Sequence, residues 1–268
     1  PLPNALLING PRGFRVDDDP AIRFVARDAR CSGVLFADLD NDGDLDLLVA
    51  NHVLRPDNRG SRLFANDGKG QFRDVTPTDS CWPARRGVRN VSALDLNNDG
   101  LLDLLITDNT YGRRAKEGNR LYVLKNLGRF RFTDGSVEFG FPQGHTLGLG
   151  LAIGDVNGDG TADIFVAGCN RLYVSDAGGK YRESHPGRFV IPPADTQEGH
   201  HCGAAFGDLN GDGLLDLVTT EHGVPARLHL FVNRGVQRGD PDLIEVSREA
   251  GDRVTQSRMA CLKAAAWA

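Results

Sequence analysis

Four nonapeptides gather the carboxylates of this 268-residue chain into short, evenly spaced sets. They read Asp38-Leu-Asp-Asn-Asp-Gly-Asp-Leu-Asp46, Asp95-Leu-Asn-Asn-Asp-Gly-Leu-Leu-Asp103, Asp155-Val-Asn-Gly-Asp-Gly-Thr-Ala-Asp163 and Asp208-Leu-Asn-Gly-Asp-Gly-Leu-Leu-Asp216. Side chains at positions 1, 3, 5 and 9, with the backbone carbonyl at position 7, supply hard oxygens along a tight turn. Gly at position 6 permits the reversal, since it adopts positive φ freely. Such a set suits a cation of calcium size, held at roughly 2.3–2.6 Å with water completing the shell, better than magnesium, which demands octahedral geometry. No His or Cys lies inside the loops, which disfavours zinc and copper. The ligands expected in the first loop are Asp38, Asp40, Asp42 and Asp46 with the carbonyl of Asp44. The second offers Asp95, Asn97, Asp99, Asp103 and the carbonyl of Leu101; the third offers Asp155, Asn157, Asp159, Asp163 and the carbonyl of Thr161. The fourth offers Asp208, Asn210, Asp212, Asp216 and the carbonyl of Leu214, so that about four Ca²⁺ are expected in all.

Asp and Asn are good turn formers, so a single copy has a second explanation as a plain hairpin connection. Four copies with one carboxylate spacing are not. The nonapeptides hold 14 of the 36 acidic residues, and four divalent ions would carry the formal net charge from −5 to +3. The loops are not EF-hands, which need a bidentate Glu at position 12 between helices; here position 12 is Val49, Ile106, Val166 or Thr219, each in an apolar strand-like run. The ion is expected to be structural, pinning the hairpin between two strands.

The elements around the loops repeat with them, at intervals of 57, 60 and 53 residues. An apolar run precedes each loop and another follows it, for example Val34–Ala37 and Leu45–Ala50. Next comes an Arg-Leu-aromatic-like strand (Arg62-Leu-Phe64, Arg120-Leu-Tyr122, Arg171-Leu-Tyr173, Arg227-Leu-His229) and a short closing strand such as Gln71–Val75. Four short strands per unit, with no amphipathic helix, predict an all-β protein and specifically a β-propeller of four-stranded blades. The expected repeats run 31–76, 87–134, 146–185 and 201–247 in a single domain over 1–268, with partial blades at 4–17 and 254–268. Residues 5–16 match the end of a unit and 264–268 the start of one, so the chain is expected to be a piece of a longer ring; the other reading is closure by strand exchange between the ends.

Composition narrows the function further. A net charge of −5 argues against a general nucleic-acid binder. No run approaches the ~18 apolar residues of a membrane span, and the first residues show no signal-peptide pattern. The 33 glycines and 13 prolines are too many for a helical bundle. Five cysteines with no CxxC pair exclude a zinc ribbon and leave disulfides such as Cys31–Cys81 open. No nucleophile elbow, phosphate loop or HExxH motif is present, so no catalytic residue is assigned. His52, His145, His200, His201 and His222 are placed on the face opposite the acidic loops, as a binding surface or as ordinary solvated loop residues. Arg85, Arg86 and Arg89 beside Trp82 suggest a grip for an acidic or sugar partner, although 26 of the 31 basic residues are Arg. Asn90-Val-Ser92 is a glycosylation sequon on a first strand expected to be buried.

The stretch Ala37-Asp-Leu-Asp-Asn-Asp-Gly-Asp-Leu-Asp-Leu-Leu-Val-Ala-Asn51, followed by Arg62-Leu-Phe-Ala-Asn-Asp-Gly-Lys-Gly-Gln-Phe-Arg-Asp-Val-Thr76, resembles the FG-GAP/VCBS repeat. That repeat is shared by integrin α-subunit propellers and the cartilage acidic protein 1 family, whose inter-repeat segment is similar to Ile244–Gly251. The resemblance implies a calcium-binding propeller, usually seven-bladed, in an extracellular, periplasmic or cell-surface protein. The expected role is non-enzymatic adhesion or recognition, with a protein or glycan ligand on the face opposite the calcium loops. A carbohydrate-active enzyme or its accessory domain on the same scaffold is the alternative.

Overall fold

A computed structural model of the chain describes residues 6–16, 30–52, 60–84, 86–109, 119–143, 147–176, 178–189, 200–222 and 227–247. Among them every regular element is a strand, and none is a helix. A two-stranded ribbon, β1 (Leu7–Gly10) and β2 (Gly13–Val16), precedes four antiparallel sheets. The first sheet holds β3 (Arg30–Ala37), β4 (Asp46–His52), β5 (Arg62–Asn66) and β6 (Phe72–Asp74). The second holds β7 (Val88–Leu94), β8 (Asp103–Asp108), β9 (Leu121–Asn126) and β10 (Phe132–Asp134). The third holds β11 (Gly148–Gly154), β12 (Asp163–Gly168), β13 (Arg171–Ser175) and β14 (Tyr181–Ser184). The fourth holds β15 (His200–Gly207), β16 (Asp216–His222), β17 (Leu228–Gln237) and β18 (Asp240–Glu245). Strand order within every sheet follows the sequence.

The chain divides into two compact units, Pro1–Gly118 with Tyr122–Gly135, and Asn119–Leu121 with Ser136–Ala268. In the first unit β7 lies against β3 and β4, and one apolar cluster joins the two sheets through Leu48, Leu63, Val91, Leu104 and Ile106. In the second unit β15 lies against β11 and β12 over Phe165, Leu172, Leu217 and Phe231, with Phe189 edge-on to both Phe165 and Phe231. Of the strands that follow the acidic loops, β4, β8 and β12 are buried along their whole length, whereas β16 is buried only in part. Truncating a fully buried leucine such as Leu48 or Leu104 to alanine costs about 2–5 kcal/mol.

Each first strand carries an irregularity at the same place, between Cys31 and Gly33, Val88 and Asn90, Gly148 and Gly150, and His201 and Gly203. The bulge bends the strand where it meets its neighbour. There a Cβ on Gly150 would lie 2.7 Å from the Cys202 carbonyl, so only glycine lets β11 and β15 approach this closely.

The third strands correct the sequence alignment. The backbone N–H of Asn66, Asn126, Ser175 and Asn233 each donates to the last Asp of its own loop. Aligned on that bond, Arg62-Leu63-Phe64 corresponds to Arg171-Leu172-Tyr173 but also to Tyr122-Val123-Leu124 and His229-Leu230-Phe231. The Arg120 and Arg227 triplets are therefore displaced by two residues. The expected partial blade at 4–17 coincides in its described part with the β1–β2 ribbon, while the one at 254–268 lies outside the described residues.

Candidate metal centre

Each nonapeptide connects the first strand of a sheet to its second, and each is wound by its own side chains. The position-1 carboxylate receives the backbone N–H groups of positions 5 and 6, and in the fourth loop that of Gly211 as well. Asp38 accepts from Asp42 at 3.1 Å and Gly43 at 2.9 Å, and Asp95 from Asp99 and Gly100 at the same distances. Asp155 accepts from Asp159 at 3.0 Å and Gly160 at 2.8 Å, and Asp208 from Asp212 at 3.2 Å and Gly213 at 2.9 Å. The position-5 carboxylate of Asp42, Asp99, Asp159 and Asp212 accepts the N–H of position 7, from Asp44, Leu101, Thr161 and Leu214, at 2.8–3.0 Å. Position 6 takes positive φ in all four loops, 85–95° at Gly43, Gly100, Gly160 and Gly213. So does position 4, at Asn41, Asn98, Gly158 and Gly211, and Asn and Gly are the residues that tolerate it.

Position 3 separates the first loop from the rest. Asn97, Asn157 and Asn210 each donate an amide N–H to the position-5 carboxylate at 2.9 Å. Asp40 has no such proton to give. Oxygens of Asp38, Asp40 and Asp42 lie within 4.8 Å of one another, the one such convergence of acidic, His or Cys groups among the described residues. Asp40 Oδ1 is buried and has no hydrogen-bond donor. Burial first, then the charges of Asp42 and Asp38, raise the Asp40 pKa above the ordinary carboxylate value. Two carboxylates about 4 Å apart repel by roughly 1 kcal/mol in bulk water and about 4 kcal/mol at an effective dielectric near 20. In the third loop, burial of Asp159 is outweighed by the Thr161 hydroxyl and amide and by Asn157, and its pKa falls instead.

Position 9 does something that spacing alone did not indicate. Asp46, Asp103, Asp163 and Asp216 are all completely buried. Oδ2 of each accepts the position-2 N–H, from Leu39, Leu96, Val156 and Leu209, at 2.9–3.1 Å. Oδ1 accepts the third-strand N–H from Asn66, Asn126, Ser175 and Asn233, at 2.7–3.0 Å. One side chain thus ties the start of its loop to the middle of its sheet. Burial pushes the carboxyls of Asp103 and Asp163 up to about 6 and raises that of Asp46, against the lowering effect of the two N–H donors.

The third-strand asparagines extend the tie between sheets. Asn126 Nδ2 donates to Leu102 O of its own loop at 2.9 Å and to Leu39 O of the first loop at 2.8 Å. Asn233 Nδ2 does the same with Leu215 O at 3.1 Å and Val156 O of the third loop at 2.8 Å. The signal was present as Asn-x-Gly: Asn126 Oδ1 accepts from Gly128 N and Asn233 Oδ1 from Gly235 N.

The donors fit a hard cation. The first loop offers only oxygen, and its buried Asp40 Oδ1 lacks a proton donor, a position that a divalent cation satisfies better than any neighbouring side chain does.

The other sequence candidates serve the fold where they are described. Nε2 of the buried His52 lies 3.1 Å from the Asn109 carbonyl and so carries the ring proton. Trp82 is buried, donates Nε1–H to Ser61 O and tilts against Phe132; Arg86 pairs with the fully buried Asp108. Neither forms an exposed grip. His229 stands where Arg62 and Arg171 stand, and its partner Glu245 replaces their partners Asp74 and Glu183. Cys31 Sγ donates to Asn51 Oδ1 and Cys81 Sγ to the Phe132 carbonyl, and burial pushes the thiol of Cys169 up to about 11. Arg85, His145 and Cys261, and the side chains of His200, His201 and His222, lie outside the described residues.

Comparison with known proteins agrees with this architecture. The family model of the FG-GAP-like repeat matches residues 38–106 and 95–166. Cartilage acidic protein 1 of Xenopus tropicalis is 26% identical over 216 residues, covering 76% of this chain, which spans 31% of that protein. Integrin alpha-3 of Cricetulus griseus is 36% identical over 119 residues, 40% of this chain and 11% of that one. A lectin structure from Agrocybe aegerita, described for recognition of non-reducing terminal N-acetylglucosamine, overlays with a TM-score of 0.46 at 17% identity, covering 94% and 62% of the two chains. The chain carries FG-GAP-like repeats and resembles in sequence cartilage acidic protein 1 and the integrin α-subunits.

Proposed function

We propose that this chain is a calcium-stabilised recognition or adhesion module, non-enzymatic and working outside the cell or at its surface. The sheets are read as consecutive blades of an FG-GAP propeller that 1–268 forms wholly or in part. Calcium sits in each acidic loop, on the side chains at positions 1, 3, 5 and 9 and the carbonyl at position 7, about four ions in all. The observation that carries this reading is Asp40 Oδ1, a buried acceptor without a donor between Asp38 and Asp42, in a loop already wound by its own side chains. The resemblance to cartilage acidic protein 1 and integrin α-subunits supports a protein or glycan partner, met on the face opposite the loops.

Calorimetric titration of chelator-treated protein with Ca²⁺ tests the metal. About four ions per chain are expected; no binding heat, together with identical melting in calcium and chelator, sinks the proposal. A glycan array and a matrix-protein binding screen, each run with and without calcium, test the partner.

A further inference from the structure

The last hairpin of the fourth sheet is longer than its counterparts. Its register pairs Asn233 with Leu243, ten residues on, whereas the equivalent partners (Asn66 with Phe72, Asn126 with Phe132, Ser175 with Tyr181) are six residues apart. The extra residues prolong β17 and β18 through the pairs Val236 with Pro241 and Gln237 with Asp240. Arg238 and Gly239 close the turn at φ of 56° and 83°, the two positive values that a two-residue hairpin turn requires.

Within the second unit this hairpin leans on the third sheet and on its acidic loop. Arg182 of β14 donates to Asp240 at 2.8 Å, and its other terminal nitrogen lies 3.5 Å from the Gly239 carbonyl. Arg188 donates to Asp242 at 2.9 Å. The Gly239 carbonyl also accepts from Asn157 Nδ2 at 3.2 Å. Asn157 is position 3 of the third loop, and it is buried where Asn97 is half-buried and Asn210 exposed.

The whole Asn157 amide is thereby committed. One Nδ2 proton goes to Asp159 Oδ2 at 2.9 Å, the other goes to Gly239 O, and Oδ1 accepts the Asp159 N–H at 3.1 Å. Asn97 and Asn210 make the first and last of these bonds inside their own loops. A side-chain amide turned by 180° exchanges its oxygen for its nitrogen, and a hard cation takes only the oxygen. In all three loops that turn would set Oδ1 against the position-5 carboxylate. In the third it would also set Oδ1 against the Gly239 carbonyl.

We infer that the β17–β18 hairpin is a positioning element for the third loop, its Gly239 carbonyl holding the Asn157 amide in the orientation that a cation requires. The inference rests on the calcium reading proposed above. An amide ordered before binding loses less freedom on binding, so the third loop holds calcium more tightly with its hairpin than without it. The coupling is reciprocal: calcium in that loop holds the hairpin in place.

Calorimetric titration with Ca²⁺ of the full chain lacking residues 236–239, which restores the six-residue separation, tests this. One ion should bind roughly three- to tenfold more weakly, as the loss of one hydrogen bond implies, and the others as in wild type. In an Asp159→Ala background, which lacks that ion, the deletion should leave the remaining affinities unchanged. Arg182→Ala keeps the hairpin sequence and should weaken the same ion by a smaller factor; it replaces the deletion if circular dichroism shows the latter unfolded. Amide hydrogen exchange over 236–240 gives the reciprocal readout, slower in calcium than in chelator for wild type and equal in the two for Asp159→Ala. Calcium binding by the folded variants identical to that of wild type overturns the inference alone. So does equal weakening of every site, the mark of a merely structural role. A wild-type chain that binds no calcium overturns the calcium reading and this inference with it.

Discussion

The first acidic loop and the other three share a backbone but differ at position 3, and that difference sets how far each turn satisfies its own polar groups. In the second, third and fourth loops the Asn amide at position 3 donates to the carboxylate at position 5, so the turn is satisfied internally. In the first loop Asp40 takes that place, gives nothing to Asp42 and leaves a buried oxygen without a donor. Three loops are built to keep their form when empty. On the calcium reading proposed above, the first gains more from a cation and loses more without one.

The comparison is most strongly tested at position 9, where all four loops agree. Asp103→Ala should leave the N–H groups of Leu96 and Asn126 unpaired in a buried setting, at about 1–3 kcal/mol each and a melting temperature lower by roughly 5–15 °C. The drop should appear in calcium and in chelator alike; a drop confined to calcium would reduce position 9 to a ligand only. Saturating calcium comes next. At about 100 times its dissociation constant each ion that binds only the folded state adds about 2.7 kcal/mol, so scanning calorimetry in calcium against chelator should separate the melts by at least roughly 5–10 °C.

Sites that act one by one should also lose ions one by one. Asp99→Ala and Asp159→Ala are each expected to reduce the calorimetric stoichiometry by about one ion, and loss of several together would show coupled loops. Asn126→Ala breaks bonds to two loops and Asn66→Ala to one, so denaturant unfolding should show the former costing about 1 kcal/mol more. The smallest effect is the most discriminating. In chelator, Asp40→Asn should raise stability by about 0.5–1 kcal/mol and Asn97→Asp lower it by as much, with calcium affinities moving the opposite way. Equal affinities in both variants would erase the distinction between the loops.

Much of the architecture was legible because each apolar run is bounded by Gly, Asn and Asp turns, which announces short antiparallel strands. The acidic loops were legible as a spacing, with Gly43, Gly100, Gly160 and Gly213 at positive φ. Other features were hidden for physical reasons. Arg120-Leu-Tyr and Arg227-Leu-His imitate Arg62-Leu-Phe, but register is fixed by the N–H that meets the buried Asp, two residues away from what the imitation suggests. The tying role of Asp46, Asp103, Asp163 and Asp216 was hidden because a donor on the next strand, 12 to 23 residues away, leaves no local pattern. Trp82 and Arg86 looked like a grip because neither the Ser61 carbonyl nor the buried Asp108 is near them in sequence.

Strand order that never departs from chain order bears on how the molecule is made. Each described sheet pairs only neighbours in sequence, so a sheet can close while the next is still being synthesised, hairpins forming in about 1–10 μs against roughly 5–20 residues translated per second. Until the next sheet arrives, a β-rich apolar strand such as β4 stands uncovered, which invites aggregation. The acidic nonapeptide beside it then serves as a gatekeeper, since two such nascent sheets repel through their loops. Calcium present too early would cancel that repulsion. Refolding in chelator with calcium added afterwards should accordingly return more soluble protein than refolding in calcium from the start.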